Sequence, residues 1–272
     1  MTAPIKMIAT DLDGTLLRDD KTVSDRNINA IKQAIESGII VVIASARPPR
    51  AVKSIYQTLG LDTIQINYNG AAHYDIHNDT FTKHLPLDPA FVRSIVDLAR
   101  EVDSEVCVSL EVMDKWYTDR VDDSLPIETS KHFSPDKLSH LDDLFEEPVT
   151  KLMLLAPTDR LEKVHTAVRD SFGNQIAIHM SDEHLIQIVD PSVDKEHSVR
   201  DLAGYYEIPR ENVMCIGDAQ NDEGMIKWAG IGIAVGNAWP DTKQAADHVV
   251  SSNEQDGVAE AIEKFALPTT TV

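Results

Sequence analysis

The stretch Ile5-Lys6-Met7-Ile8-Ala9-Thr10-Asp11-Leu12-Asp13-Gly14-Thr15 decides the fold. Ile5 to Thr10 is a short, mainly apolar run, the pattern of a buried strand, and two carboxylates and a glycine follow it directly. In an open α/β sheet, ligands bind beyond the carboxyl ends of the strands, so Asp11 and Asp13 emerge where chemistry is expected. The alternative reading of the same residues is an Asx-rich turn with Gly14 at positive φ.

Downstream, apolar runs alternate with segments of helical period. Ile28, Ile31 and Ile35 mark one helix, Ile39 to Ala44 a strand, and Val52, Ile55, Tyr56 and Leu59 a second helix. The punctuation agrees: Ser24 is placed to cap the first helix and Gly38 to end it, while Pro48 and Pro49 open the second and Gly60 closes it. With a third strand at Thr63 to Asn67, the opening residues read as βαβ units of a parallel sheet. The alternation returns near the end of the chain. A helix from Lys195 to Tyr206, the strand Asn212 to Ile216, a helix from Asp222 to Trp228, the strand Ile231 to Val235 and a helix from Val258 to Phe265 are expected.

The middle differs. Ala71 to Ile76 and Phe81 to Leu85, joined by His77-Asn78-Asp79-Thr80, predict a hairpin. Asp88-Pro89 starts a helix, and the strands Val106 to Leu110 and Val112 to Thr118 follow. A polar stretch to Glu147, the strand Val149 to Leu155, a helix from Asp159 to Phe172, and the pair Gln175 to Met180 and His184 to Val189 complete the segment. Proline punctuates both crossings, at Pro86 and Pro191. The expected fold is therefore α/β: a Rossmann-like, doubly wound parallel core made of residues 1–85 and 189–272, with an α+β domain, residues 86–188, inserted into it.

Composition narrows the partners. Of 272 residues, 42% are hydrophobic and 26% charged, which suits a chain with ample core and excludes disorder. Asp and Glu number 45 against 25 Lys and Arg, a formal charge of −20, so long-range attraction to nucleic acid or an anionic membrane is disfavoured. No apolar run approaches the ~20 residues that cross a bilayer. The opening residues Met1 to Lys6 show no basic region followed by an apolar one, so a cytoplasmic protein is expected. Cys107 and Cys215 lie in apolar strand-like runs and read as buried reduced thiols. The pattern contains no signal of oligomeric state.

Two further strand ends carry chemistry. Gly217-Asp218-Ala219-Gln220-Asn221-Asp222 follows one strand, and Ser45-Ala46-Arg47 follows another. Ser45 and Arg47 offer a hydroxyl and a guanidinium to phosphate oxygens, although Ser45 alone also fits a helix cap. Asp11, Asp13, Asp218 and Asp222 would then share one edge, an unfavourable cluster unless a cation sits among them. Mg²⁺ fits best, because the ligands are hard oxygens and no His or Cys cluster has zinc spacing.

These motifs resemble the haloacid dehalogenase superfamily of phosphotransferases, and within it the Cof-type, sugar-phosphatase-like branch with a large α+β cap. The resemblance spans nearly the whole chain. It rests on Asp11-Leu12-Asp13-Gly14-Thr15, Ser45-Ala46-Arg47, Asn69-Gly70-Ala71, Lys195, Gly217 to Asp222 and Val235-Gly236-Asn237-Ala238 in the family's order. It implies that Asp11 is the nucleophile, Asp13 the general acid and base, and Ser45, Lys195 and Asn221 the phosphate-binding groups. It also implies a Mg²⁺ held by Asp11, the main-chain carbonyl of Asp13 and Asp218, with Asp222 ligating it directly or orienting metal-bound water. Arg47, Asn69 and Gly70 are candidates for contact with the leaving group. Ala46 and Glu196 stand where the family commonly has glycine, which adds a methyl to the phosphate loop and a negative charge beside Lys195.

The activity implied is Mg²⁺-dependent hydrolysis of small phosphate monoesters, such as sugar phosphates, through an aspartyl-phosphate, with the inserted domain closing over the site and selecting the leaving group. Asp114, Trp116, Lys131 and His132 are candidates to line a pocket in that domain. Two alternatives stay open: a phosphomutase or phosphotransferase on the same core, and a non-enzymatic, receiver-like phospho-acceptor. The second Asp and the long insertion weigh against the acceptor, which needs neither a leaving-group acid nor a lid.

Overall fold

The computed structural model describes residues 3–125 and 128–268. Met1 and Thr2, at the start of the stretch read above for export signals, and Pro126 and Ile127, in the polar stretch before Glu147, lie outside the described residues. In chain order the first elements are β1 (Met7–Thr10), α1 (Asp25–Glu36), β2 (Ile40–Ile43), α2 (Pro49–Leu59), β3 (Ile64–Asn67), β4 (Ala72–Asp75) and β5 (Thr80–His84). Next come α3 (Pro89–Val102), β6 (Cys107–Val112), β7 (Lys115–Thr118), α4 (Glu128–His132), β8 (Lys137–Leu138), β9 (Lys151–Leu155), α5 (Thr158–Phe172), β10 (Ala177–Asp182) and β11 (Leu185–Val189). The last are α6 (Lys195–Tyr205), β12 (Val213–Gly217), α7 (Glu223–Trp228), β13 (Ile231–Ala234), α8 (Pro240–Ala245), β14 (His248–Val249) and α9 (Gly257–Ala261). The chain divides into two compact units, Met1–Thr82 with Asp194–Val272, and Lys83–Val193.

In the first unit a five-stranded sheet runs in the order β14-β13-β12-β1-β2, and every neighbouring pair is parallel. Alternate residues of β1 feed opposite faces, as the two-residue strand period requires. Ile8 packs with Ile31 and Ala34 of α1, whereas Met7 and Ala9 pack with Val199 and Leu202 of α6. Helices therefore cover both faces, and active groups collect at the exposed carboxyl edge. The caps follow the sequence signals: the Ser24 side chain accepts the Asn27 amide, worth ~1 kcal/mol for such a cap, and Gly60 ends α2 in the left-handed region at φ 70°.

β3 departs from the expected arrangement. It meets the parallel sheet through a single bridge, Ala44 to Ile66, and belongs instead to the antiparallel sheet β3-β4-β5. β2 ends at Ile43, so only Ala44 and Ser45 remain to pair with β3, and the other edge of β3 is taken by β4.

The second unit is a six-stranded sheet, β10-β11-β9-β6-β7-β8, with α3 and α5 packed through the cluster that includes Val92, Ile95, Leu154 and Val164. The hairpin between β6 and β7 lies two residues later than the sequence suggests. β6 continues through Glu111 to Val112, Val112 pairs with Lys115, and Met113 turns the chain at φ 56°. Met113 is not a turn-forming type, so composition could not mark it; its amide is satisfied by Thr150 Oγ1 at 2.7 Å. Of the pocket candidates, Trp116 is a core residue whose Nε1 donates to Ser109 Oγ, Asp114 is half-buried, and Lys131 and His132 are exposed. Cys107 and Cys215 are both free and buried. Among the described residues, no helix is long and apolar enough to cross a membrane.

Candidate active site

Three strand ends and one helix start build the site, all within the first unit. Asp11 continues the ladder beyond β1, its amide donating to the Ile216 carbonyl at 3.0 Å, and the residue is only 6% exposed. Asp218 follows β12. Its Oδ1 accepts from Thr15 Oγ1 at 2.9 Å. Asp222 ends a short 3₁₀ turn, and its Oδ2 accepts the amides of Asp218 at 3.0 Å and Ala219 at 3.1 Å. Lys195 is the first residue of α6, whose N-cap Asp194 accepts the His197 amide. Its Nζ lies 2.6 Å from Oδ1 of Asp11 and 2.6 Å from Oδ1 of Asp222.

Asp11, Asp218 and Asp222 each place a carboxylate oxygen within 4.8 Å of the others. Three buried or half-buried acids thus face one ammonium, and negative charge is in excess. The titration behaviour reflects this. Burial pushes Asp11 up to about 8; Lys195 opposes that shift, while Asp222 and Asp218 add to it. Burial and then Asp222 push Asp218 up to about 6. Burial disfavours charge on Lys195, but Asp11 and Asp222 outweigh it and hold its pKa above the ordinary lysine value, so the lysine keeps its proton.

Two glycines allow these approaches. A Cβ on Gly14, which has φ 79°, would meet Asp218 Oδ2 at 2.5 Å, and one on Gly217 would meet Asp222 Cβ at 2.4 Å.

Asp13 stands apart from the three acids. Its side chain is 40% exposed and bound by two cations: Arg47 Nε reaches Oδ2 and Nη2 reaches Oδ1, each at 2.6 Å, and Lys21 Nζ reaches Oδ1 at 2.8 Å. Burial would raise its pKa, but Arg47 and then Lys21 hold it below the usual carboxylate value. Arg47, expected to touch the leaving group, is here committed to Asp13. Ser45 is buried, and its Oγ accepts the Arg47 amide at 3.1 Å, leaving its hydroxyl hydrogen to donate elsewhere. Asn69 and Asn221 meet, Nδ2 of Asn221 donating to Oδ1 of Asn69 at 3.0 Å.

Gly70 has a packing reason: at φ 108°, a Cβ there would meet the Asp194 carbonyl at 2.4 Å and Ser198 Oγ at 2.5 Å. It lets the loop press against the start of α6, the turn that carries Lys195.

The model of the haloacid dehalogenase-like hydrolase family matches residues 8–262. The chain belongs to the haloacid dehalogenase-like hydrolases. A Bacillus subtilis relative named 5-amino-6-(5-phospho-D-ribitylamino)uracil phosphatase YitU is 30% identical over 264 residues, covering 95% of this chain and 97% of its own. Phosphatase YwpJ of the same organism is 30% identical, over 94% of this chain and 98% of its own. Among solved structures, a haloacid dehalogenase-like hydrolase from Bacteroides thetaiotaomicron superposes with a TM-score of 0.86 at 28% identity, over 96% of this chain and 99% of that one.

The donor set of this hydrolase suits a divalent cation. The ligand atoms are carboxylate oxygens, and the excess negative charge around Asp11 is what a hard cation would offset. Sequence reasoning missed Lys21, Thr15 and Asn237 as site-building residues. Asn237 lies in a motif already noted, and its Nδ2 donates to the Gly14 carbonyl at 2.7 Å. Lys21 carried no signal, since its value depends on a turn that returns it to Asp13.

Proposed function

We propose that this haloacid dehalogenase-like hydrolase is a Mg²⁺-dependent phosphatase that cleaves small phosphate monoesters through an aspartyl-phosphate on Asp11. The observation that carries this reading is the pairing of Asp11 with the buried Lys195, beside Asp218 and Asp222 and two residues before Asp13. An ionised carboxylate attacks a phosphate dianion only where cations offset their repulsion. Asp11, Asp218 and Asp222 would hold the Mg²⁺, which would supply that charge together with the Lys195 ammonium.

In the first step Asp13, which takes up a proton from solvent as the substrate phosphate draws Arg47 away from it, gives that proton to the departing oxygen as an Asp11 oxygen bonds to phosphorus and the ester P–O bond breaks. In the second, water attacks the phospho-aspartate, Asp13 accepts the water's proton, and inorganic phosphate leaves with Asp11 restored. Lys195, the Ser45 hydroxyl and the Asn221 amide hold phosphoryl oxygens. We assign selection of the leaving group to the inserted residues 86–188, on the strength of the family resemblance. Two free, buried cysteines suit a reducing cytosol.

The test is Mg²⁺-dependent phosphate release from p-nitrophenyl phosphate and a panel of phosphorylated sugars, nucleotides and cofactors. The phosphoribitylamino-uracil named for YitU is the first natural ester to include. Undiminished activity in excess chelator, or in Asp11→Asn checked for deamidation, would overturn the proposal.

A further inference from the structure

Lys21 lies outside every motif read from the sequence, yet its ammonium sits 2.8 Å from Oδ1 of Asp13. The backbone is shaped to put it there. Lys21 adopts φ 66°, an unfavourable conformation for a residue with a side chain, within a turn closed by Lys21 N to Arg18 O at 2.9 Å and Arg18 N to Thr22 O at 3.0 Å. That turn is tied to a distant loop. Arg18 pairs with Asp256 at 3.1 Å, the Asp19 amide donates to Glu254 at 2.7 Å, and Asn253 Nδ2 donates to the Leu17 carbonyl at 3.1 Å. Asn253 in turn gives its amide to Asn237, which holds the Gly14 carbonyl. The circuit closes on the loop of Asp13 from both sides.

We propose that Lys21 is a positioning residue that holds the Asp13 carboxylate during phosphoryl transfer; the proposal rests on the phosphatase reading above. In the structure Arg47 occupies both carboxylate oxygens of Asp13 in a bidentate pair, and Lys21 shares Oδ1. A substrate oxygen that draws the Arg47 guanidinium to itself removes two of the three bonds on Asp13. Lys21 then remains on Oδ1 and keeps the plane of the carboxyl group, so that Oδ2 carries the proton toward the departing oxygen. As the P–O bond breaks and the Asp11–P bond forms, that proton passes from Oδ2 to the leaving alkoxide. Without Lys21 the released carboxyl group turns freely about its side-chain bonds, and the proton is misplaced at the moment of transfer. An exposed ion pair contributes little to folding, so the role is separable from stability.

The experiment compares Lys21→Met and Lys21→Arg with the wild type on an alkyl phosphate, ribitol 5-phosphate, and on p-nitrophenyl phosphate, whose leaving group needs no proton. Thermal unfolding is followed alongside. Lys21→Met is expected to lower kcat/KM, which reports the first step, at least ~10-fold on the alkyl ester and less than ~3-fold on the aryl ester, whereas kcat, which includes the second step with Asp13 as base, falls with both. Lys21→Arg is expected to recover most of the lost rate. Equal loss of kcat/KM on both esters with a lowered Tm would assign Lys21 to structure alone, and unchanged rates on both would remove it from the reaction; either result overturns the proposal. Failure of the wild type to release phosphate from p-nitrophenyl phosphate and from every ester of the panel above would instead overturn the phosphatase reading.

Discussion

Nζ of Lys195 stands 2.6 Å from Oδ1 of Asp11 across a sequence separation of 184 residues. The insertion of a whole unit between β5 and α6 leaves this contact intact because both partners are anchored by the same parallel sheet, Asp11 by the end of β1 and Lys195 by the start of a helix packed on that sheet's face. Among the described residues Lys195 is the cation paired with two of the three clustered acids, Asp11 and Asp222, so its charge stabilises the site.

Lys195→Met should therefore fail twice. Removing one partner of a buried ion pair leaves uncompensated charge and costs about 3–5 kcal/mol, read as a lowered urea midpoint. Loss of the ammonium beside the phosphoryl group should also lower kcat by ~10² to 10³-fold under conditions where the variant is folded. A variant with wild-type stability would show that Asp11 and Asp222 tolerate the loss of their shared hydrogen-bond donor.

Cation binding should depend on pH in a definite direction. Asp11 and Asp218 lie at about 8 and about 6 in the folded protein, above the ordinary carboxylate value of 3.8. As pH rises the unfolded chain releases these protons first, so the contribution of these two groups to the stability of the metal-free protein falls from about pH 4 to about pH 8. Mg²⁺ binds the ionised forms, so its stabilising effect should grow over the same window, reaching ~2.7 kcal/mol where the ion is at 100 times its Kd. Scanning calorimetry with Mg²⁺ and with chelator at several pH values checks this. A Tm difference that stays flat or shrinks as pH rises would contradict it.

Gly70→Ala should disturb the site from behind. The added methyl collides with the Asp194 carbonyl at a φ of 108°, for which strain of about 1–3 kcal/mol is expected, and pushing the first turn of α6 misplaces Lys195. A displacement of that kind can cost up to ~10²-fold in kcat. Gly60→Ala is the control: its φ is 70°, but nothing lies within 4 Å of the added Cβ, so stability should fall while kcat holds. Equal kcat in the two variants would separate Gly70 from the catalytic geometry.

How much of this was legible in the sequence follows from what each feature depends on. The parallel core was legible because its strands are buried on both faces and read as continuous apolar runs, and its helices carry local caps such as Ser24 and Gly60. The convergence of Asp11, Asp218 and Asp222 followed from strand-end logic, and Lys195 from the family resemblance. Three things were hidden. β3 touches the parallel sheet by a single bridge because β2 ends at Ile43, and its other edge pairs with β4, a tertiary outcome with no local mark. The hairpin at Met113 turns on an apolar residue at positive φ. The Arg47–Asp13 pair was hidden because a guanidinium suits a carboxylate and a phosphate equally, and the sequence does not say which it meets in the absence of substrate.

That pair bears on the last prediction, which concerns Asp13. Its proposed work is done at both ends of the reaction, and the two ends differ in their dependence on the leaving group. A sugar alkoxide leaves poorly without a proton, whereas p-nitrophenolate departs largely unaided. Asp13→Asn should therefore slow phosphoryl transfer from a sugar phosphate by ~10² to 10⁴-fold, and transfer from the aryl ester far less. Base function in the second step is lost with either ester. With p-nitrophenyl phosphate the first step then outruns the second, and rapid-quench measurements should find a burst of nitrophenolate with accumulated phospho-enzyme on Asp11. The substitution also removes a negative charge beside Arg47 and Lys21, so repulsion of the phosphate dianion falls and KM for the phosphate ester is expected to drop rather than rise. If the first step slowed equally for both esters, with no burst, Asp13 would act by holding the geometry of its loop and not by moving a proton.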